Sequence, residues 1–88
     1  MKEIVCNINL FSLYHSVYLV DYEKNLKEKI ETTDLEELPE ILNHNCWLYD
    51  TNKIHLFGEE KSLESLIEKI NTLNTLHNNE NKIEIEVN

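Results

Sequence analysis

Lys53-Ile54-His55-Leu56-Phe57-Gly58 is the stretch on which the fold turns. Ile54 and Leu56 alternate with His55 and Phe57, the period of a half-buried strand, and Gly58 closes it. From Glu59 to Leu76, residues Leu63, Leu66, Ile67, Ile70 and Leu73 recur at helical spacing, with Glu64, Glu68, Lys69, Asn71 and Thr72 outside the stripe. His77 to Asn81 is a polar turn. Lys82 to Val87 then sets Ile83, Ile85 and Val87 against Glu84, Glu86 and Asn88 in strict alternation. Strand, glycine turn, helix, strand is a βαβ unit. It predicts that strands 53–58 and 82–87 run parallel, with the helix between them.

Upstream, Glu3 to Phe11 places Ile4, Cys6, Ile8 and Leu10 on one face and Val5, Asn7, Asn9 and Phe11 on the other. Ser12-Leu13-Tyr14-His15 reads as a loop and Ser16 to Tyr22 as a second strand, rich in β-branched and aromatic residues. The short connection favours an antiparallel hairpin. Glu23-Lys24-Asn25 is a turn, and Leu26 to Thr32 fits a third strand. A helix also fits there, because Leu26 and Ile30 are four apart and Lys27 can pair with Glu31.

Thr33-x-x-Glu36 and Asp34-x-x-Glu37 are both capping-box patterns. Leu35, Leu38, Ile41 and Leu42 follow at helical spacing, and Pro39 suits a first turn. This helix is expected to fade at Asn43-His44-Asn45, with Cys46 to Tyr49 as a packed connection and Asp50-Thr51-Asn52 as a turn. One internal similarity supports a rival fold. Residues 18–31 laid over 55–68 match at six of fourteen positions. As a true repeat, this would make the chain two ββα units with a C-terminal strand.

Eighty-eight residues suit one domain with a small core. The chain has no Ala, Arg or Gln, but twelve Asn. Residues with GC-rich codons are nearly missing, which points to an AT-rich genome such as that of a low-GC bacterium or its phage. The net charge is −9, from fourteen Glu, three Asp and eight Lys. Arg supplies the bidentate phosphate and guanine contacts of many nucleic-acid readers. Without it, and with lysines spread along the chain among glutamates, direct nucleic-acid binding is not expected. Cys6 and Cys46 suit free, buried thiols of a reducing compartment. The N-terminus reads as a strand rather than a secretion signal, and no apolar run is long enough for a membrane span. A cytoplasmic protein, in the bacterial host if phage-encoded, is expected, with no membrane association.

The favoured order, β-β-β-α-β-α-β in an α/β fold with one mixed sheet, resembles the ribonuclease H-like fold. The resemblance is topological and covers nearly the whole chain. It implies a sheet of three antiparallel strands continued by two parallel ones. Nucleases of that fold place a metal-binding Asp in the middle of the first strand, where this chain offers the neutral Asn7 and Asn9. They set a second carboxylate near the end of the fourth strand, where Phe57-Gly58 is followed by Glu59 and Glu60. Two-metal chemistry needs several converging carboxylates. The actin-like branch needs a glycine-rich turn after the first strand, and Ser12-Leu13-Tyr14-His15 has no glycine.

Other constellations are weaker still. His44-x-Cys46 with Cys6 would be a three-ligand metal set with mismatched spacing, and a helix-end His beside a core Cys explains it as well. His15 with Cys46, or His55 with Cys6, would be nucleophile–base pairs without an orienting acid or oxyanion loop. At Gly58 the free N–H groups of a helix start face Glu59 and Glu60, which repel phosphate and suit the helix dipole. No catalytic residue, metal site or cofactor is therefore expected. The remaining signal is a sheet face left open if both helices cover the other one. Phe11, Tyr18, Val20, His55 and Phe57 fall on it and are the expected partner-binding residues. On these grounds the sequence points to a non-enzymatic interaction or assembly protein that meets a protein partner or forms a homo-oligomer. The alternative is a small-ligand or nucleotide-related binding module of ribonuclease H-like type.

Overall fold

The computed structural model describes residues 2–9, 11–76 and 83–87. Its elements are β1 (Lys2–Asn7), β2 (His15–Asp21), β3 (Leu26–Thr33), α1 (Leu38–Leu48), β4 (Lys53–Phe57), α2 (Glu60–Leu76) and β5 (Glu84–Val87). The strands form one mixed sheet in the order β3-β2-β1-β4-β5. β2 pairs antiparallel with both β1 and β3, while β4 pairs parallel with both β1 and β5. This is an α/β fold of ribonuclease H-like order, and the βαβ unit predicted for its second half is present.

Residues 26–33 settle the choice between the two predicted folds. As a helix they would bury only Leu26 and Ile30. As a strand they pair with β2 from Asp21↔Leu26 to His15↔Thr33, and Ile30 still packs against the core. A bulge between Val17 and Tyr18 shifts the register, so that Glu31 rather than Ile30 stands opposite Val17. The turn before β3 is held by Asp21, whose carboxylate accepts from the N–H groups of Glu23 and Lys24 at 3.1 and 3.3 Å.

Both helices lie on the same face of the sheet. Ile4, Cys6, Val17, Leu19, Ile54 and Leu56 of the strands share one core with Leu38, Leu42 and Cys46 of α1 and Leu63, Leu66 and Ile70 of α2. β5 sits at the sheet edge, so of its predicted inward residues only Ile83 is buried. Ile85 is half-buried and Val87 exposed.

Two local expectations need correction. β1 ends at Asn7 instead of continuing to Phe11, because Asn9 turns the chain. The Asn9 side-chain oxygen accepts from Phe11 N–H at 3.0 Å, and its carbonyl accepts from Ser12 N–H at 3.0 Å. Leu10 and the turn predicted at 77–81 lie outside the described residues. α1 does not fade at Asn43 but runs to Leu48, since Leu38, Leu42 and Cys46 continue one buried stripe. Asn45 satisfies its own side chain inside the helix by donating to the Ile41 carbonyl at 2.8 Å. The helix then closes in a Schellman pattern. Thr51 N–H donates to Cys46 O at 2.9 Å and Asp50 N–H to Trp47 O at 3.3 Å, with Asp50 left-handed at φ 52°. At its start, Asp34 caps the turn entering α1 by accepting from Glu37 N–H at 2.9 Å, so the second of the two capping patterns is used, with its acceptor one turn before the helix proper.

Gly58 is required by close approach. Ile8 N–H donates to the Phe57 carbonyl at 2.7 Å, drawing the β4–α2 turn against the end of β1. A Cβ at position 58 would stand 2.8 Å from the Ile8 carbonyl oxygen and 2.9 Å from Ile8 Cβ. Backbone cannot yield as a flexible side chain does. Gly58→Ala is therefore expected to lower stability by about 1–2 kcal/mol, read as a fall in the urea midpoint with an unchanged m-value. An unchanged midpoint would mean that the turn relaxes away from β1.

Candidate functional site

The face of the sheet opposite the helices carries the most organised polar chemistry in the molecule. Strand alternation and register order it into rows across the sheet. One row reads Lys29, Tyr18, Val5, His55 and Glu86, from β3 through to β5. In the row below, Lys27 faces Val20 and Val20 faces Glu3, while Lys53 faces Glu84 on the far side. In the row above, Asn7 faces Phe57.

At the centre of this face, Glu3 joins β1 to β4. His55 Nε2 lies 2.5 Å from the Glu3 carboxylate, and His55 Nδ1 lies 3.3 Å from that of Glu86. Lys53 Nζ sits between the same two acids, 3.8 Å from Glu3 and 3.3 Å from Glu86. The Tyr22 hydroxyl, from the turn after β2, donates to Glu3. Although no helix covers it, Glu3 is only 6% exposed, because these long side chains close over it.

Burial alone would raise the Glu3 carboxyl. The hydrogen bonds from Tyr22 and His55, with the charges of His55 and Lys53, outweigh it and hold the group below the usual glutamate range. The hydrogen bond to Glu3 raises the Tyr22 phenol in turn, and the hydrogen bond to Glu86 raises the Lys53 ammonium. Two carboxylates thus meet a lysine and an imidazole whose nitrogens both face acceptors, a polar lattice across three strands.

Beside this lattice the β2–β3 half of the face is aromatic and basic. Lys27 Nζ lies 4.5 Å from the centroid of the Tyr18 ring, a cation–π contact. Val5 and Val20 floor the space around that ring, with Lys29 at its outer side.

Of the residues expected to bind a partner, Tyr18, Val20, His55 and Phe57 lie on the open face. Tyr18 and His55 flank Val5 in one row. Phe11 does not join them. It is 95% exposed in the turn after β1, because the chain leaves the sheet four residues earlier than the alternation of Ile8 and Leu10 implies. Glu3, Tyr22, Lys27, Lys29 and Lys53 were not anticipated. The signal for Glu3 and Lys53 was available, since each stands two residues before a named open-face position, Val5 and His55.

The weaker constellations come apart. Cys6 and Cys46 are buried in the core, and burial pushes both thiols up to about 12, far from a reactive thiolate. His55 lies on the open face and Cys6 on the helix-covered one, so they form no pair. His44 is exposed and packs against Trp47, with ring centroids 5.9 Å apart, on the side of α1 away from Cys46. His15 is buried, and its Nδ1 accepts from Asn9 N–H at 3.3 Å. Among the described residues, no three His, Cys, Asp or Glu side chains converge to hold a metal ion. Also among them, no helix is long and apolar enough to cross a membrane. A shallow groove between α1 and α2 is lined by Glu36, Glu40, Glu68 and Lys69 around Pro39 and Leu73 and is too open to enclose a ligand.

No protein-family model matches this sequence, and no curated protein does. Among solved structures the chain is similar to the Holliday junction resolvase of fowlpox virus, with 12% sequence identity and a TM-score of 0.46. The match covers 97% of this chain and 60% of the resolvase, so the chain spans about 60% of that protein's length. That structure is named as a Holliday junction resolvase, and three expectations drawn from the sequence do not agree with it. These are a non-enzymatic interaction or assembly role, the absence of enzyme activity, and a protein partner or homo-oligomer with no direct nucleic-acid contact. The physical weakness of the last lay in counting lysines along the chain. Folding brings Lys27, Lys29 and Lys53 onto one face and leaves Glu28 and Glu31 of β3 opposite the core-facing Leu19 and Val17.

Proposed function

We propose that the open sheet face binds a ligand carrying a heteroaromatic base and a phosphate, the nucleotide class, with Tyr18 as the stacking surface. The observation that carries this reading is the row Lys29–Tyr18–Val5–His55–Glu86. It sets an aromatic ring on a helix-free sheet, over an apolar floor, with an ammonium group against the ring and another beside it. Base–aromatic stacking contributes about 1–3 kcal/mol per base and tolerates any base, because every base has a π-face. Exposed sheets with aromatic side chains use the same geometry to hold bases that are not in a duplex. Phe57, in the next row of β4, extends the surface that a second ring can use.

The Glu3–His55–Glu86–Lys53 lattice gives this platform its stiffness. It ties β1, β4 and β5 together beside the Tyr18 position, so the neighbouring half of the sheet need not reorganise when a ligand arrives.

Titration of the isotopically labelled chain with uridine and adenosine monophosphates, followed by amide and methyl chemical shifts, tests the reading. The expected shifts map to residues 3–5, 17–20 and 55–57, with the Tyr18 ring protons moving upfield under the stacked base. Tyr18→Ala is expected to weaken binding about tenfold, matching the loss of one stacking contact, while Tyr18→Phe keeps it. Shifts confined to the α1–α2 groove, or none at millimolar nucleotide, would refute it.

A further inference from the structure

We propose that the platform takes a single strand of nucleic acid rather than an isolated nucleotide, with the sugar-phosphate backbone running along β3 over Lys27 and Lys29 and the bases turned inward onto Tyr18. This inference rests on the stacking role proposed for Tyr18.

Charge is sorted across the open face. The β3 border carries Lys27 and Lys29, and the β5 border carries Glu84 and Glu86. Of the three lysines on this face among the described residues, Lys53 is taken up by Glu3 and Glu86. Lys27 and Lys29 are exposed and have no carboxylate partner among the described residues, in a chain with seventeen acidic side chains. Lys27 instead stands over the Tyr18 ring. Two residues apart on a strand, Lys27 and Lys29 have Cα atoms about 7 Å apart along the edge and side chains on the same face. That sets two cations on the edge strand beside the Tyr18 ring of the next strand in. A polyanion with bases on one side fits this arrangement, with its phosphates on the edge and its bases on β2 and β1. The acidic β5 border repels phosphate and confines the strand to the β3 side. A duplex buries its base faces and offers nothing to Tyr18.

Lysines on an edge strand also discourage edge-to-edge pairing of sheets, so the test must separate that role from phosphate binding. Fluorescence anisotropy with a labelled oligothymidylate twelve nucleotides long, at a series of salt concentrations, is compared with shift titration by thymidine monophosphate. The oligomer is expected to bind at least about tenfold more tightly than the monophosphate. Its affinity is expected to fall with salt at a slope of about −1.4, the value for two phosphates neutralised on a single strand. The double variant Lys27→Gln, Lys29→Gln, checked as folded by circular dichroism, is expected to flatten that slope and to weaken the oligomer by a larger factor than the monophosphate, so that the oligomer's advantage is lost. Equal affinity for the two ligands, or a double variant that binds the oligomer like the parent, would overturn the strand proposal and leave the stacking platform standing. Loss of all binding by both ligands in the parent chain would overturn the platform itself.

Discussion

Leu56→Ala is expected to lower the free energy of unfolding by about 2–5 kcal/mol, the range for truncating a fully buried leucine. Leu56 is 0% exposed and stands in β4, next to Cys6 of β1 on one side and Val87 of β5 on the other. Its side chain belongs to the layer where the sheet meets α1 and α2. A chain of this length has about 4–13 kcal/mol in all, so the loss is a large fraction of the whole. Phe57→Ala makes the informative control. Phe57 is one residue on, points to the open face and is 39% exposed, and its truncation is expected to cost clearly less than that of Leu56. Urea titration of the two variants beside the parent measures both. Equal losses would mean that the open face is buried as deeply as the core.

Glu3→Gln is expected to cost about 2–3 kcal/mol near neutral pH, because it removes the carboxylate on which His55, Lys53 and Tyr22 converge. The pH dependence gives this a second readout. The Glu3 carboxyl is held below its ordinary range in the folded chain, so the unfolded chain takes up the proton first as pH falls. The stabilisation from Glu3 is therefore fully present above the ordinary glutamate range, about pH 4.3. It drains away as pH drops from there through the folded value. The gap in melting temperature between parent and variant should be widest at pH 6–7 and narrow progressively below about pH 4. A gap that stays constant across that window would show that Glu3 acts through packing rather than charge.

Much of the fold was legible because side-chain period follows burial. Ile54 and Leu56, the stripe from Leu63 to Ile70, and the alternation of Ile4 and Cys6 all face one core, so local pattern and global order agree. The misreadings came where one side chain redirected the backbone or where burial overrode propensity. Asn9 ended β1 with a hydrogen bond to Phe11 N–H that no periodicity announces. Asn43, His44 and Asn45 looked like a helix end, yet the buried Leu42 and Cys46 on either side of them carried α1 through.

The candidate site was legible in part. Tyr18, Val20, His55 and Phe57 could be placed on the open face by alternation alone. Their surroundings could not. Lys27 meets Tyr18 across a strand pair, and Glu3 meets His55 from fifty-two positions away. Contacts of that range depend on sheet order and register, and the bulge at Val17/Tyr18 adds a shift that alternation does not show.

The most direct test of the platform is a search for intermolecular nuclear Overhauser effects between the base protons of bound oligothymidylate and the protein. Contacts from the thymine methyl and H6 to the Tyr18 ring and to the Val5 and Val20 methyl groups are the predicted result. Base contacts to Leu73, Pro39 or other groups of the α1–α2 groove, with none to Tyr18, would contradict it.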